Sequence, residues 1–435
     1  MKTLKIFVLA ALPVTAVLLL ASSAINEGKR TAHRTIPKGC VFRTVMGEES
    51  SDSSFSYKTP YTVFTSVDRG LEWIASAQSQ NGGWGAGSHS RQDITDPHAV
   101  QSDPATTAIV AMALLRSGNT LTKGEYSSQL KKALSYLLAA TENSPASSYN
   151  ITDQTGTQIQ TKLGANIDVV LTSQFFSNIM DYLSHDAQLK ARVKKNLNTC
   201  VAKIQRAQDS DGSMSGAGWA GVLQSSFANN ALEAAQAQGV AVDEVAMEKA
   251  REYQKGNYDA KTGDVKTDRG AGVVLYSVSS SSRASAKEAR KVQEQMDLAR
   301  REGRLAKNAP ASAENLQKIG FAKDDALKYS TAYEVYQSAK VQAQREDVMD
   351  GFGSNGGEEF LSYLQTGESM IIGKDNEWKN WYNNMSGRIL KIQNNDGSWS
   401  GHHCITSPVF CTATCLLILA VNNDVDKLTA IGRDK

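Results

Sequence analysis

The chain has 435 residues, of which 41% are hydrophobic and 21% are charged, so it is long and apolar enough to bury a sizeable core. Its 47 basic and 45 acidic residues are nearly balanced, and this argues against nucleic acid or an anionic membrane surface as the main partner. Its five cysteines, an odd number, do not indicate a disulfide scaffold.

The chain begins with a segment typical of a secretory signal. In residues 1–24, two lysines precede an apolar run that ends in Ser22-Ser23-Ala24. This pattern predicts a signal peptide that is cleaved after Ala24. The alternative is an uncleaved membrane anchor formed by residues 6–24. Without the two lysines of this segment the mature chain carries 45 basic and 45 acidic residues. The sequence therefore predicts export, to the periplasm or the extracellular space.

Residues 25–66 show little helical periodicity and are rich in Ser, Thr and Lys, so we expect an extended or partly disordered arm there. Residues 67–435 carry apolar helical patterns that recur in pairs, and strand signals are weak, so the predicted fold class is all-α. Six helical hairpins are predicted: 67–80 with 103–118, 126–141 with 162–183, 188–208 with 222–238, 243–256 with 268–280, 323–347 with 356–370, and 376–393 with 406–421.

A basic segment at about 281–310 interrupts this order, with eight Lys or Arg against four Asp or Glu. Val292, Met296 and Ala299 give it only a thin apolar stripe. We predict a solvated helix inserted between two hairpins, with a docking helix for an acidic partner as the alternative.

Three turns that follow predicted helices share one spacing, in which a Gly comes four residues after a Gln and a Trp two residues later. Glycine supplies the left-handed conformation that ends a helix, the Gln side chain can bond a neighbouring helix end, and the Trp ring can close the turn. The three copies are Gln78, Gly82 and Trp84; Gln208 and Gly212, with Met214 at the Trp position; and Gln393, Gly397 and Trp399. Such self-similarity indicates a repeat architecture.

The Gln-x-x-x-Gly-x-Trp pattern, followed by an apolar helix, resembles the repeat of squalene and oxidosqualene cyclases and of protein prenyltransferase β subunits. Two of the copies are intact and one lacks the Trp. The resemblance implies an α/α toroid of about six helical hairpins over residues 67–435. It implies the architecture rather than a reaction, because one fold hosts many functions.

Each chemistry known in that family depends on a motif that this sequence lacks. Protein prenyltransferases hold zinc with an Asp-x-Cys motif and a late-helix His, but no Asp-x-Cys occurs here and Cys411 stands at the late position. The Asp-x-Asp-Asp motif of class II cyclases is absent as well. So is the Asp-Asp-x-x-Asp motif of class I synthases, because Asp324-Asp325 is followed by Lys328.

The strongest chemical cluster follows the last turn and consists of His402, His403 and Cys404, with Cys411 seven residues further on. Imidazole and thiolate are ligands that zinc prefers, so these four are the candidate metal ligands, although their spacing matches no standard finger. The alternatives are loop residues that bond across the turn, or a disulfide through Cys404. No cofactor is predicted, and zinc is the candidate if this cluster does bind a metal. We expect the cluster at a pocket or rim, with one His facing solvent.

A second candidate is the glycine-rich stretch 350–360, in which Glu358 and Glu359 open a helix. Carboxylates in a first turn stabilise the positive end of the helix dipole, so a structural cap is one interpretation. A carboxylate pair for acid–base work or for a cation is the other. A P-loop is not indicated, since no Lys-Ser/Thr pair follows at the required spacing.

Two functional classes remain open. The first is an exported binding or scaffold toroid whose ligand is a peptide, a glycan or a lipid-like molecule, held in the central cavity or along the rim. The second is an enzyme, of cyclase or transferase type, acting on an isoprenoid-like or other hydrophobic substrate in the cavity. The missing motifs and an aromatic content of only 7% favour the first, because cyclases line their cavities with aromatic rings that stabilise carbocations.

Overall fold

The computed structural model describes Phe55, residues 57–351 and residues 356–431. The predicted signal at 1–24, most of the predicted arm and Cys40 lie outside these residues. Within the described ranges the regular elements are helices, accompanied by isolated bridges rather than strands, which confirms the all-α prediction. The helices all belong to one compact unit, Val41–Lys435.

The described ranges contain sixteen α-helices. In chain order they are α1 (Tyr61–Ser76), α2 (Pro104–Arg116), α3 (Ser127–Asn143), α4 (Gln158–Leu163), α5 (Ile167–Ile179), α6 (Ala187–Arg206), α7 (Gly221–Ala237), α8 (Glu244–Lys255), α9 (Val274–Arg301), α10 (Ala313–Lys318), α11 (Lys323–Gln342), α12 (Glu346–Met349), α13 (Gly357–Ile372), α14 (Trp378–Lys391), α15 (Pro408–Leu419) and α16 (Val425–Ile431).

Six of these helices form the core. Every residue of α2, α13 and α15 is buried, as are nearly all residues of α5, most of α7 and the first half of α9. Helices that are apolar all round can be stable only when other helices surround them. In chain order each of the six packs on the next, and the last, α15, packs on the first, α2.

Six amphipathic helices, α1, α3, α6, α8, α11 and α14, alternate along the chain with the buried ones. They correspond to the first members of the six predicted pairs. Five of them pack on the buried helix that comes before them in the chain: α3 on α2, α6 on α5, α8 on α7, α11 on α9 and α14 on α13. The sixth, α1, packs on α15. The alternation was therefore predictable, whereas the main packing partner is the predicted one only for α8, which packs on α9.

The basic segment 281–310 is not a separate solvated helix, and that prediction is wrong. Residues up to Arg301 continue α9 without a break. Its apolar stripe, Val292 with Met296 and Ala299, is buried in a small second core against α10 and α11. Part of its positive charge is used inside the protein, because Arg283 pairs with Glu233 at 2.8 Å and Arg290 donates to the Thr429 carbonyl at 2.6 Å.

The arm predicted for 25–66 extends too far, because α1 begins at Tyr61. The first turn of α1 has no charged residue and is rich in Thr and Ser, so its helical signal is weak. Tertiary contacts stabilise it instead: Val63 and Ser66 are buried, and the Ser66 hydroxyl donates to Gln393 Oε1 at 2.8 Å.

The three motif turns are built in the same way. The Gln side chain donates to the carbonyl of the motif Gly, at 2.8 Å in the first and last turns and 3.5 Å in the middle one. It also donates to a carbonyl of another amphipathic helix: Gln78 to Gln129 in α3, Gln208 to Ala246 in α8, and Gln393 to Ser66 in α1. Each Gln therefore links one amphipathic helix to a second, as predicted from its donor and acceptor groups.

The tryptophans close the first and last of these turns. Trp84 Nε1 donates to the Ile74 carbonyl at 2.8 Å, and Trp399 Nε1 donates to the Ile389 carbonyl at 2.9 Å. Both rings are fully buried. In both turns the acceptor is the carbonyl of the Ile that stands four residues before the motif Gln. The indole therefore bonds to the last turn of the helix that precedes the motif.

A fourth turn of this kind follows α8 and was missed in the sequence. Tyr258 pairs with Val265 in an isolated bridge, just as Gln208 pairs with Met214 in the middle motif turn. A left-handed Gly263, with φ at +77°, lies between them. The turn contains one more residue than the others, and this insertion removes the spacing by which the motif is recognised.

Candidate functional site

The two stretches singled out in the sequence lie together. The amide of Gly357, the first residue of α13, donates to the carbonyl of Ile405 at 3.3 Å. The loop after the last motif turn therefore lies on the N-terminal end of α13, beside Glu358. His402 is exposed, while His403 and Cys404 are half-buried, so one His of the pair faces solvent.

Gly356 marks the centre of this contact. A methyl group on its α-carbon would lie 3.6 Å from each of three atoms, Glu358 Oε2, Glu359 Oε2 and His403 Nε2. The backbone of Gly356, at φ −93° and ψ 156°, is open to any residue. Two carboxylate oxygens and an imidazole nitrogen thus surround a space about as large as one methyl group.

The two glutamates have different roles. Glu359 caps its own helix, because its Oε2 accepts from the Gly356 amide at 2.6 Å, and this agrees with the structural interpretation of the stretch. Glu358 is only 2% exposed, and its Oε2 has no hydrogen-bond partner among the described residues. Burial raises the pKa of the Glu358 carboxyl, against the opposing effects of the Cys404 thiol, nearby backbone amides and Lys162. A buried oxygen without a partner is costly, so it indicates a place for a ligand group.

Cys404 is held in a strained conformation next to Glu358. Its φ is +64°, in the left-handed region that residues with a Cβ rarely adopt. Burial and the Glu358 charge raise the pKa of its thiol to about 12, while Lys162 opposes the shift. The thiol is therefore protonated at neutral pH, and it is not poised as a nucleophile.

The predicted zinc ligands do not form a metal site. Among the residues that the structure describes, no group of three or more His, Cys, Asp or Glu is arranged to hold a metal ion. Cys411 is fully buried in α15 and points its thiol at the Ile405 carbonyl, 3.5 Å away, and burial raises the pKa of that thiol. Cys404 is a free thiol, so the disulfide alternative also fails within the described part of the chain.

Lys162, near the C-terminal end of α4, completes the site and was not predicted. Its side chain is only 2% exposed, and its Nζ lies 3.2 Å from the centre of the Trp219 ring. Its charge acts on Glu358, on Cys404 and on both nearby histidines, His89 and His403. Burial together with Lys162 lowers the pKa of each of these histidines.

Two glutamines fasten the loops to one another. Gln92 Nε2 bonds to His89 Nδ1 at 2.7 Å and donates to the Cys404 carbonyl at 2.8 Å. Gln158 Oε1 accepts from the amides of Thr406 and Ser407, at 2.8 and 3.2 Å. The loops that precede α2, α5 and α15 are thereby joined at the same end of the buried helices.

A sequence signal for this site existed in the repeat. His89 stands five residues after Trp84, Trp219 five residues after Met214, and Cys404 five residues after Trp399. The fifth position after each recognised turn therefore contributes one residue to the site.

A cavity of about 20 Å³ lies between the buried helices, with room for about one water molecule. It is lined by Ile109, Met112, Arg116, Leu171, Gln174, Phe227, Leu364, Glu368 and Leu417. Arg116, which pairs with Glu368 at 2.8 Å and with Asp424 at 2.7 Å, places a buried charge at its wall.

A comparison of the sequence with models of protein families and with curated proteins finds no match. Within the described ranges no single helix has both the length and the apolar composition of a membrane span. The pair Pro408–Leu419 and Val421–Ile431, bent by 55°, meets those two criteria only when its helices are taken together.

Proposed function

We propose that this chain is an α/α toroid of the terpenoid cyclase and prenyltransferase type that acts as a binding protein, with its ligand site on the rim at the N-terminal ends of the buried helices. Two features support the architecture. The buried helices contact one another in an order that returns from α15 to α2. The last motif turn also bonds back to α1, through Gln393 and Ser66. Export remains a prediction from residues 1–24.

The observation that carries the rim assignment is the Glu358 carboxyl. It is buried, it has an oxygen without a partner among the described residues, and that oxygen borders the space at Gly356. Because a protein stabilises a buried polar atom by giving it a partner, an atom left open beside a space is best explained by a ligand. Lys162 and Cys404, which face the same carboxyl, keep it in place.

The alternative enzyme, which acts on a hydrophobic chain in the centre, has less support. Small-molecule sites usually measure about 300–1,000 Å³, whereas the central cavity measures about 20 Å³. Its wall contains one aromatic ring, Phe227, together with the Arg116–Glu368 ion pair.

Hydrolysis of a glycosidic bond is also disfavoured at the rim. That reaction commonly needs two carboxyl groups, one as acid and one as base or nucleophile. Of the adjacent pair, Glu359 is engaged with the Gly356 amide, which leaves Glu358 alone. We therefore assign Glu358 a role in binding.

The experiment compares two single substitutions by thermal unfolding with added compounds. Gly356→Ala puts a methyl group among the rim atoms, whereas Gly387→Ala is a control in α14 with nothing within 4 Å of the new methyl. Polar compounds (a neutral hexasaccharide and a polar decapeptide) and farnesol are tested one at a time. We expect one polar compound to raise the melting temperature of the wild type and of Gly387→Ala but not of Gly356→Ala, since a ligand stabilises the state it binds.

Stabilisation by farnesol that Gly356→Ala leaves unchanged would move the ligand to the centre and would support the enzyme instead. If none of the compounds stabilises the wild type, the rim is not a ligand site of these classes and the proposed function fails.

A further inference from the structure

Trp219 is a large aromatic residue of the rim that lies open to solvent. It is 57% exposed, whereas Trp84 and Trp399 are fully buried. Its backbone is fixed to α4, because its amide donates to the Thr161 carbonyl at 3.2 Å and the next amide donates to the Lys162 carbonyl at 2.7 Å. An exposed indole on a fixed backbone offers a flat surface at little cost in conformational entropy.

The neighbours of Trp219 orient its ring. Lys162 Nζ lies 3.2 Å from the ring centre and covers one face, and the His89 ring makes an edge contact at 5.7 Å. The lysine is itself buried, so it cannot swing away from the indole into solvent without uncovering the site. The ring therefore has one covered face and a substantial exposed surface.

Two buried polar atoms near this ring lack a partner among the described residues, and they are complementary. Gln158 Nε2 is a donor, and its side chain is fully buried and fixed through Oε1. It stands one helical turn from Lys162 on α4, so the two share a face. Glu358 Oε2, next to the same lysine, is an acceptor when the carboxyl is ionised. A hydroxyl group both donates and accepts, so hydroxyls can satisfy both atoms.

The charges of the rim nearly cancel. Lys162 is positive and Glu359 is negative, while burial favours the neutral form of Glu358. The lowered pKa values of His89 and His403 leave both imidazoles uncharged at neutral pH. A strongly anionic ligand would meet the Glu359 carboxylate, and a cationic ligand would meet Lys162. The balance favours an uncharged polar ligand.

We infer that the rim binds a neutral oligosaccharide, with one sugar ring stacked on Trp219 and neighbouring hydroxyl groups bonded to Gln158 Nε2 and Glu358 Oε2. This inference rests on the proposed function, because it names the ligand class of the same rim. A sugar ring has an apolar face for the indole and a border of hydroxyls for the two polar atoms. A peptide would satisfy the polar atoms but lacks this regular pairing of apolar face and hydroxyl border.

The test is isothermal titration at pH 7 with cellohexaose, chitohexaose and a proline-rich decapeptide, each alone. We expect at least one hexasaccharide to bind the wild type. Trp219→Ala should weaken that binding by about tenfold, the worth of one good aromatic contact. Trp219→Phe should recover most of the loss, because it keeps a flat ring. Gly387→Ala should bind like the wild type.

Each other outcome counts against a defined part of the inference. Hexasaccharide binding that Trp219→Ala leaves unchanged would refute the stacking on Trp219. Binding of the peptide but of neither hexasaccharide, abolished by Gly356→Ala, would refute the ligand class and keep the rim site. Binding of no compound by a wild type that unfolds cooperatively would refute the inference and the proposed function together.

Discussion

Trp399→Ala tests whether the repeat turn is what holds the last helix pair. The ring is fully buried, and its Nε1 donates to the Ile389 carbonyl at 2.9 Å. Truncating a buried aromatic side chain costs about 3–5 kcal/mol, and the lost indole hydrogen bond adds about 1 kcal/mol. The Ile389 carbonyl keeps the Ile392 amide as a donor, at 3.3 Å. We expect a loss of about 4–6 kcal/mol in the free energy of unfolding, measured by urea denaturation.

Two further substitutions, Trp219→Ala and Gly70→Ala, serve as comparisons for Trp399→Ala. Trp219→Ala removes the same side chain from an exposed position and should cost less than about 1 kcal/mol. Gly70 of α1 lies against the ring, since a methyl group there would be 2.8 Å from Trp399 Cζ3. Gly70→Ala should therefore destabilise the wild type by about 1–3 kcal/mol through overpacking, and by much less when combined with Trp399→Ala. Equal losses for Trp399→Ala and Trp219→Ala, or strictly additive losses with Gly70→Ala, would refute the assigned contacts.

Three further predictions concern backbone strain and a buried acid. Gly212→Ala should lower the free energy of unfolding by about 2–4 kcal/mol, because its φ is +90° and the new methyl would lie 2.3 Å from the Lys249 carbonyl oxygen. Gly263→Ala should lower it by only about 1–2 kcal/mol, because Gly263 has φ +77° but nothing lies within 4 Å of the new methyl. Cys404→Gly should change stability by less than about 1 kcal/mol in urea unfolding, since relief of the strain at φ +64° offsets the lost side chain. Burial raises the pKa of Asp168 from 3.8 to about 7. Between these pH values the folded state holds a proton that the unfolded state has lost, so the free energy of unfolding should fall as pH rises from about 4 to about 7. Asp168→Asn should remove this pH dependence from unfolding curves measured across that range.

The all-α class and the alternation of helices were predictable because they depend on local patterns. Apolar periodicity identifies a helix without reference to its partners, and the Gln-Gly-Trp spacing marks the ends of α1, α6 and α14. The continuity of α9 was not predictable in this way. This helix carries charges such as Arg283 and Arg290 that are typical of a solvated helix, and only their distant partners, Glu233 and the Thr429 carbonyl, explain their burial.

The candidate site was predicted only in part, because its residues come from several loops that lie far apart in the chain. His403, Cys404 and Glu358 were singled out from their own neighbourhoods, and the zinc hypothesis followed from their residue types. Lys162 has no local signal, since it is an ordinary lysine at the end of a short helix, and its importance comes from Trp219 and Cys404, which lie far from it in the chain.

Trp219 and His89 could have been found by extending the repeat. When the same turn follows several helices, equivalent positions of the turns lie at the same end of the molecule. A site residue in one turn therefore predicts site residues at the equivalent positions of the other turns. The fifth position after the turn is occupied by His89, Trp219 and Cys404 in the three recognised copies, and these three residues lie around Lys162. The three turns place this position around Lys162, while the side chains there differ: an imidazole, an indole and a thiol. Under the proposed function, the turns supply a common frame, and the residue that varies from turn to turn sets the chemistry offered to the ligand.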